Sequence, residues 1–193
     1  MTPTFRRIKS IPRYRGYVIT VESQEFESPT GERFVRDVVH TPGAVVIAPI
    51  LTSASGEFQI VMIQQWRASV GRVLWELPAG LRDVPGEPPR VTAQRELIEE
   101  VGYEAGTIDL LSVTLASPGF TNAAHHYFLA TELRFVGTNL QGPEELAMNT
   151  ATLSLRAAKS MVLSGEIDNG PAVIGILLAC ERLGVSGGSG QNH

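Results

Sequence analysis

Apolar and polar positions alternate, run together, or recur every third or fourth residue in different parts of this chain, and the changes of period mark its elements. Residues 16–23 (GYVITVES) and 34–40 (FVRDVVH) alternate around an S-P-T-G turn, which predicts a pair of short strands. Residues 44–51 (AVVIAPIL) are an almost unbroken β-branched run and predict a buried strand. It pairs with 58–66 (FQIVMIQQW) across T-S-A-S-G-E, and the chain then breaks at Pro78 and Gly80 in L-W-E-L-P-A-G.

The first helical period covers 88–101, with Pro88 and Pro89 suited to its opening turn and Gly102 to the position past its end. Leu97, Ile98 and Val101 share one face and Glu96, Glu99 and Glu100 the opposite one. Strands follow at 110–115 (LLSVTL) and 125–133 (HHYFLATEL), while 139–148 (NLQGPEELAM) reads as a loop. Helices at 154–164 and 171–183 end at Gly165 and Gly184. The second is apolar almost all round, as suits burial against a sheet or a partner subunit. Strands around one central helix, followed by terminal helices, predict an α+β fold.

Composition narrows this picture. With 193 residues, 43% hydrophobic and 19% charged, the chain fits one compact domain with a small appendage. A single cysteine, Cys180, excludes an internal disulfide framework and a cysteine zinc site, and points to a reducing compartment. The start is basic (Arg6, Arg7, Lys9, Arg13, Arg15) but lacks an apolar segment, and no run of about 18 apolar residues occurs, so a cytoplasmic protein without membrane attachment is expected. The net charge of −4 gives no nucleic-acid footprint, and the basic start reads as a solvated edge strand or tail. An anionic ligand would therefore need local arginines or bound metal to attract it.

Residues 95–100, R-E-L-I-E-E, place three glutamates within roughly a 100° arc of one helix, where they repel one another. A merely solvated acidic face is the competing reading. The context favours chemistry: Gly80 lies in a break where backbone carbonyls can project, Glu87 opens the helix, and Arg95 sits beside Glu96 and one turn before Glu99. Carboxylates without histidine or cysteine make a hard-oxygen site, which suits Mg²⁺ or Mn²⁺ and not Zn²⁺, and so phosphoryl or nucleotidyl transfer.

Residues 80–103, GLRDVPGEPPRVTAQRELIEEVGY, resemble the Nudix box: Gly, five residues, Glu, seven residues, then Arg-Glu-apolar-x-Glu-Glu-x-Gly-apolar. Everything from Glu87 onward fits, whereas six residues instead of five separate Gly80 from Glu87, an insertion that costs little in a loop. Within the Nudix family the chain is similar to the ADP-ribose pyrophosphatases, particularly those of actinobacterial type, through that longer loop, QQWR at 64–67, LWELPAG at 74–80, ASPGF at 116–120 and VRDVVHTPGAV at 35–45. The likeness runs from about residue 15 to about residue 183.

The resemblance implies an α/β/α Nudix sandwich of mixed sheets: a strand unit at 1–40 that serves dimerisation, a catalytic domain at 41–184 and a disordered tail at 185–193. It implies Mg²⁺-dependent (or Mn²⁺-dependent) hydrolysis of ADP-ribose to AMP and ribose 5-phosphate by a homodimer with exchanged N-terminal strands. Another nucleoside diphosphate sugar or dinucleotide is the alternative substrate, and a non-catalytic nucleotide sensor the alternative function. Metal ligands would be Glu96, Glu100, Glu99 and the Ala79 carbonyl. Arg95 would orient the carboxylates, and Glu87 would either stabilise the helix start or support the metal from farther out. Glu145, with Glu144 beside it, would be the base. Arg36 and Arg67 would hold phosphate or the terminal ribose, with Ser117, Pro118, Gly119 and Phe120 lining the ribose pocket. Phe26 or Trp66 would stack on adenine or simply pack. Relatives carry an acid soon after S-P-G-F where this chain has Asn122 and Ala123. His125 and His126, adjacent on a strand, face opposite ways and read as ordinary strand residues.

Overall fold

A computed structural model describes residues 4–140 and 142–186; Gln141 of the predicted 139–148 loop and residues 187–193 of the predicted tail lie outside the described residues. The chain forms two compact units, Met1–Gly43 with Thr114–His125, and Ala44–Val113 with His126–His193.

In the first unit β1 (Arg6–Arg15), β2 (Thr20–Glu27) and β3 (Arg33–His40) make an antiparallel sheet in that order. The basic start is thus an edge strand, where Pro12 is tolerated because an outer N–H is dispensable. Its register shifts near Pro12 and again between Arg7 and Lys9. β2 begins at Thr20 and not at residue 16, because Gly16 N–H donates to Ile19 O at 2.8 Å and closes a turn there. In the same unit Val39 N–H donates to Phe120 O at 2.8 Å, and Val39 bridges Thr121 in parallel.

The remaining elements are β4 (Ala44–Thr52), β5 (Phe58–Arg67), β6 (Arg72–Glu76), β7 (Ala79–Leu81), α1 (Pro89–Val101), β8 (Tyr103–Leu115), β9 (Ala124–Phe135), α2 (Gly142–Leu146), β10 (Asn149–Ser154), α3 (Leu155–Ser164) and α4 (Gly170–Arg182). The sheet runs β10-β5-β4-β9-β8, with β6 on β5 and β7 on β4. Alternation along β4 feeds two cores. Val46, Ala48 and Ile50 pack with Leu155, Ile176 and Ala179 of α3 and α4. Val45 and Ile47 pack with Ala93, Leu97 and Val101 of α1. The second unit is therefore the expected α/β/α sandwich.

Three expectations need correction, and one strand was not anticipated. Residues 142–146 are a short helix and not loop, opened by a proline at a position that needs no N–H. Residues 149–154 form β10, a strand with little apolar signal of its own, held by antiparallel pairing from Asn149↔Gln64 to Ser154↔Gln59. β8 starts at Tyr103, immediately after the helix-ending Gly102. Val185 and Ser186 are tied to α3, since their carbonyls accept from Lys159 Nζ at 3.0 Å and Arg156 Nη1 at 3.2 Å. Among the described residues no helix is long and apolar enough to cross a membrane.

Candidate active site

The ends of β5, β7, α1 and α2 enclose a cavity of about 480 Å³ whose wall carries Glu96, Glu99, Glu100, Arg95, Arg67 and Glu145. α1 is aimed there by its two ends. Pro89 fixes the first turn, and Gly102, at φ 74°, donates its N–H to Ile98 O and Leu97 O in the left-handed geometry that favours glycine. The six-residue spacing before Glu87 is absorbed by a turn in which Glu87 N–H donates to Val84 O at 3.2 Å and Gly86 takes φ 78°. The helical register is untouched.

The glutamates do not share one solvated face. Ile98 is half-buried, whereas Glu100 is only 5% exposed, on the same side as Leu97 and Val101. Glu100 is covered because β7 closes over it, with Ala79 N–H donating to its Oε2 at 2.9 Å. So the Ala79 peptide meets the cluster through its N–H. Gly80 leaves the space that Glu96 fills: a Cβ there would lie 1.9 Å from Glu96 Cδ.

Burial is the main cause that pushes the Glu100 carboxyl up to about 8, reinforced by Glu96 and Glu145 and opposed by the Ala79 N–H and Arg67. Burial likewise pushes Glu96 up to about 7, with Glu99 and Glu145 adding to it and Arg95 opposing it. Arg95 Nη1 donates to Glu96 Oε1 at 2.7 Å and to Glu99 Oε2 at 3.1 Å, and Nη2 lies 3.5 Å from Glu87 Oε2. Thr92, fully buried, donates its hydroxyl to the same Glu87 oxygen at 2.7 Å. Glu87 thus anchors Arg95 at the head of the cluster. Among the described residues no three acidic, histidine or cysteine side chains converge as a finished metal site would. The donor set nevertheless fits a hard divalent cation, since a buried and a half-buried carboxyl held among like charges gain most from a positive charge beside them.

Arg67 forks onto the buried Glu76, Nε to Oε1 at 2.8 Å and Nη2 to Oε2 at 2.7 Å. That bond holds its guanidinium above the ordinary arginine range against the opposing effect of burial, with Glu100 and Glu144 also favouring the charge. Neither Glu76 nor Gln65, which also lines the cavity, was singled out from sequence. Gln65 and Arg67 share a strand face by the two-residue period, and that signal was available.

The other expected substrate residues lie in the first unit. A cavity of about 340 Å³ is lined by Phe5, Phe26, Phe34, Arg36, Gly119 and Phe120, among others. Phe26 stacks on Phe34 at 5.7 Å between centroids, and the Arg36 guanidinium lies 4.8 Å over the Phe34 ring. Pro118 also reaches this wall, whereas Ser117 shapes the turn, its carbonyl accepting from Phe120 and Thr121 N–H. Asn122 Oδ1 accepts from Thr41 N–H at 3.2 Å, so its amide has a local bond in place of a charge. Trp66 is 46% exposed and lines neither cavity.

The chain is similar to several known proteins. The chain is 39% identical over 173 residues to "ADP-ribose pyrophosphatase" of Mycobacterium tuberculosis, covering 90% of this chain and 82% of that one. It is 33% identical over 154 residues to the protein of the same name from Bacillus subtilis, covering 80% of each. A solved structure described as an ADP compounds hydrolase superposes with a TM-score of 0.81 over 95% of both chains, and at 24% identity it speaks for the fold alone. The NUDIX domain family matches residues 41–165, and with the box on α1 and the sandwich around it, this chain belongs to the Nudix family.

Proposed function

We propose that the protein hydrolyses the pyrophosphate bond of ADP-ribose, giving AMP and ribose 5-phosphate, with Mg²⁺ or Mn²⁺ as cofactor. The observation that carries this reading is the half-buried Glu96 beside the buried Glu100, both raised by desolvation and by neighbouring carboxylates, in one cavity with Arg67 and the acidic α2. The names of the two relatives supply the substrate. Carboxylates stacked so closely need a cation beside them, and a diphosphate is a ligand that such a cation can in turn hold.

Glu96 and Glu100 would hold the cation, with Glu99 and the Ala79 carbonyl as further ligands. Such an ion, when bound, offsets the charge of a diphosphate and acidifies water. Arg95 bridges Glu96 and Glu99, offsets their repulsion and fixes their orientation. Arg67, already fixed by Glu76, presents its remaining Nη1 to a phosphate oxygen. Glu145 accepts the proton of the attacking water at its carboxylate. Glu145 stands on a helix of five residues, well suited to small adjustments as substrate arrives. The aromatic cavity of the first unit suits a nucleobase, whose flat ring matches Phe26 and Phe34 and whose acceptors match Arg36.

The same reading takes the protein as a cytoplasmic homodimer with exchanged N-terminal strands. The outer position of β1 and the 58% exposure of Tyr14 support this, since an uncovered edge invites a partner. Light scattering after size exclusion tests it.

The decisive experiment follows AMP release from ADP-ribose with Mg²⁺ and with EDTA, beside a panel of nucleoside diphosphate sugars and dinucleotides. Metal-dependent turnover that is fastest with ADP-ribose is expected. Faster turnover of another diphosphate would reassign the substrate, and tight binding without turnover in excess Mg²⁺ would identify a sensor.

A further inference from the structure

β5 carries Gln65 and Arg67 two residues apart, so both side chains leave the strand on one face, and both line the acidic cavity. Their situations differ. Arg67 is held by its fork onto Glu76. Gln65 is 5% exposed, and its Oε1 is buried without a hydrogen-bond partner among the described residues. Leu74, opposite it on β6, has a side chain with nothing to donate.

A buried carboxamide oxygen left unmet has given up water without replacement, and native structures keep few of them. A leucine or methionine would fill the same position without that loss. The amide is therefore expected to be completed by something that enters the cavity.

We propose that Gln65 determines specificity by hydrogen-bonding a ribose hydroxyl of the substrate, next to the phosphate that Arg67 holds. This rests on the ADP-ribose reading above. Successive same-face positions on a strand stand roughly 7 Å apart, about the reach from a 5-phosphate to the secondary hydroxyls of its own ribose. A hydroxyl both donates and accepts, so it pairs with either end of the amide. A phosphate oxygen only accepts, and would meet the Gln65 oxygen with repulsion.

The test measures kcat/KM for ADP-ribose and for analogues lacking one ribose hydroxyl at a time, in wild type, Gln65→Leu and Gln65→Met. Wild type should lose about tenfold on one analogue, the worth of one neutral hydrogen bond. Both variants should lose a similar factor on ADP-ribose and nothing more on that analogue, a coupling confined to one hydroxyl. Their ligand-free melting temperatures should equal or exceed wild type, because the unmet amide is gone. Independent losses on every analogue would overturn the proposal, as would a lowered melting temperature with uniform loss of activity. A raised Mg²⁺ requirement with unchanged discrimination would assign the amide to the cation instead. If wild type fails to turn over ADP-ribose, the activity is refuted. The same ligands read by thermal shift, wild type against Gln65→Leu, then still decide whether Gln65 senses a hydroxyl.

Discussion

Gly80 and Glu96 occupy space that admits only one of a glutamate and a methyl group: a Cβ on residue 80 would stand 1.9 Å from Glu96 Cδ and 2.2 Å from its Oε1. Gly80→Ala must therefore displace the Glu96 carboxylate, because the β7 backbone is pinned by pairing with β4 at Val45↔Gly80. Overpacking of this kind costs about 1–3 kcal/mol. With the ligand role proposed for Glu96, its displacement should cost on the order of 100-fold in turnover. Adding Glu96→Ala to Gly80→Ala should restore the melting temperature without restoring activity. If Gly80→Ala alone keeps wild-type kcat, Glu96 has no positional role.

Glu100→Gln should leave the fold as stable as wild type, or more so, while removing most turnover, since it deletes a buried charge that the metal-free protein accommodates poorly. The pH dependence carries a sign. Both Glu96 and Glu100 have folded values raised above the ordinary 4.5, to about 7 and about 8. Their contribution to stability is therefore complete below about 4.5 and is lost as pH rises toward 8, where folding must ionise both in place. Chemical denaturation of metal-free protein between pH 5 and 8.5 should show wild type losing stability relative to Glu100→Gln. Adding Mg²⁺ should flatten the difference at the alkaline end. Parallel curves for the two proteins would contradict the burial of Glu100.

The parts of this site legible in the sequence are those fixed by a helix. The spacing of Glu96 and Glu100 follows from the helical period, and Pro89 and Gly102 mark where that period starts and stops. The depth of Glu100 was not legible, because residue type assigns a glutamate to solvent and only the closure of Ala79 over it decides otherwise. β10 was missed for a related reason: Asn149–Ser154 owes its strand geometry to β5, which supplies every partner in the ladder. Glu76 and Gln65 sit in strands whose apolar pattern alone does not say which face their polar members take. Both point inward, to Arg67 and to the cavity.

Glu144 and Glu145 stand side by side on α2, and both line the cavity, but only Glu145 contributes to raising both Glu96 and Glu100. Glu145→Gln should lower kcat by about 10²–10⁴, the usual contribution of a positioned base. The Mg²⁺ concentration for half activation should change little. Glu144→Gln should change kcat less than Glu145→Gln does. The reverse order in a steady-state comparison would move the base to Glu144.

Arg67 owes its orientation to Glu76, so the two should behave as one unit. Arg67→Lys keeps the charge but cannot make the fork, and a lysine amine would wander between Glu76 and Glu100. The expected loss in kcat/KM is about 10- to 100-fold, corresponding to the ~1.5–3 kcal/mol of one charge-assisted hydrogen bond to phosphate. It should fall mainly on KM if Arg67 holds ground state and transition state alike. Glu76→Gln leaves Arg67 its charge and removes the fork, and should produce a similar loss with the same division between KM and kcat. The double variant should be little worse than either single one, since each already breaks the same contact. Additive losses in that cycle would show that Arg67 binds substrate without help from Glu76, and that the Arg67–Glu76 fork serves stability alone.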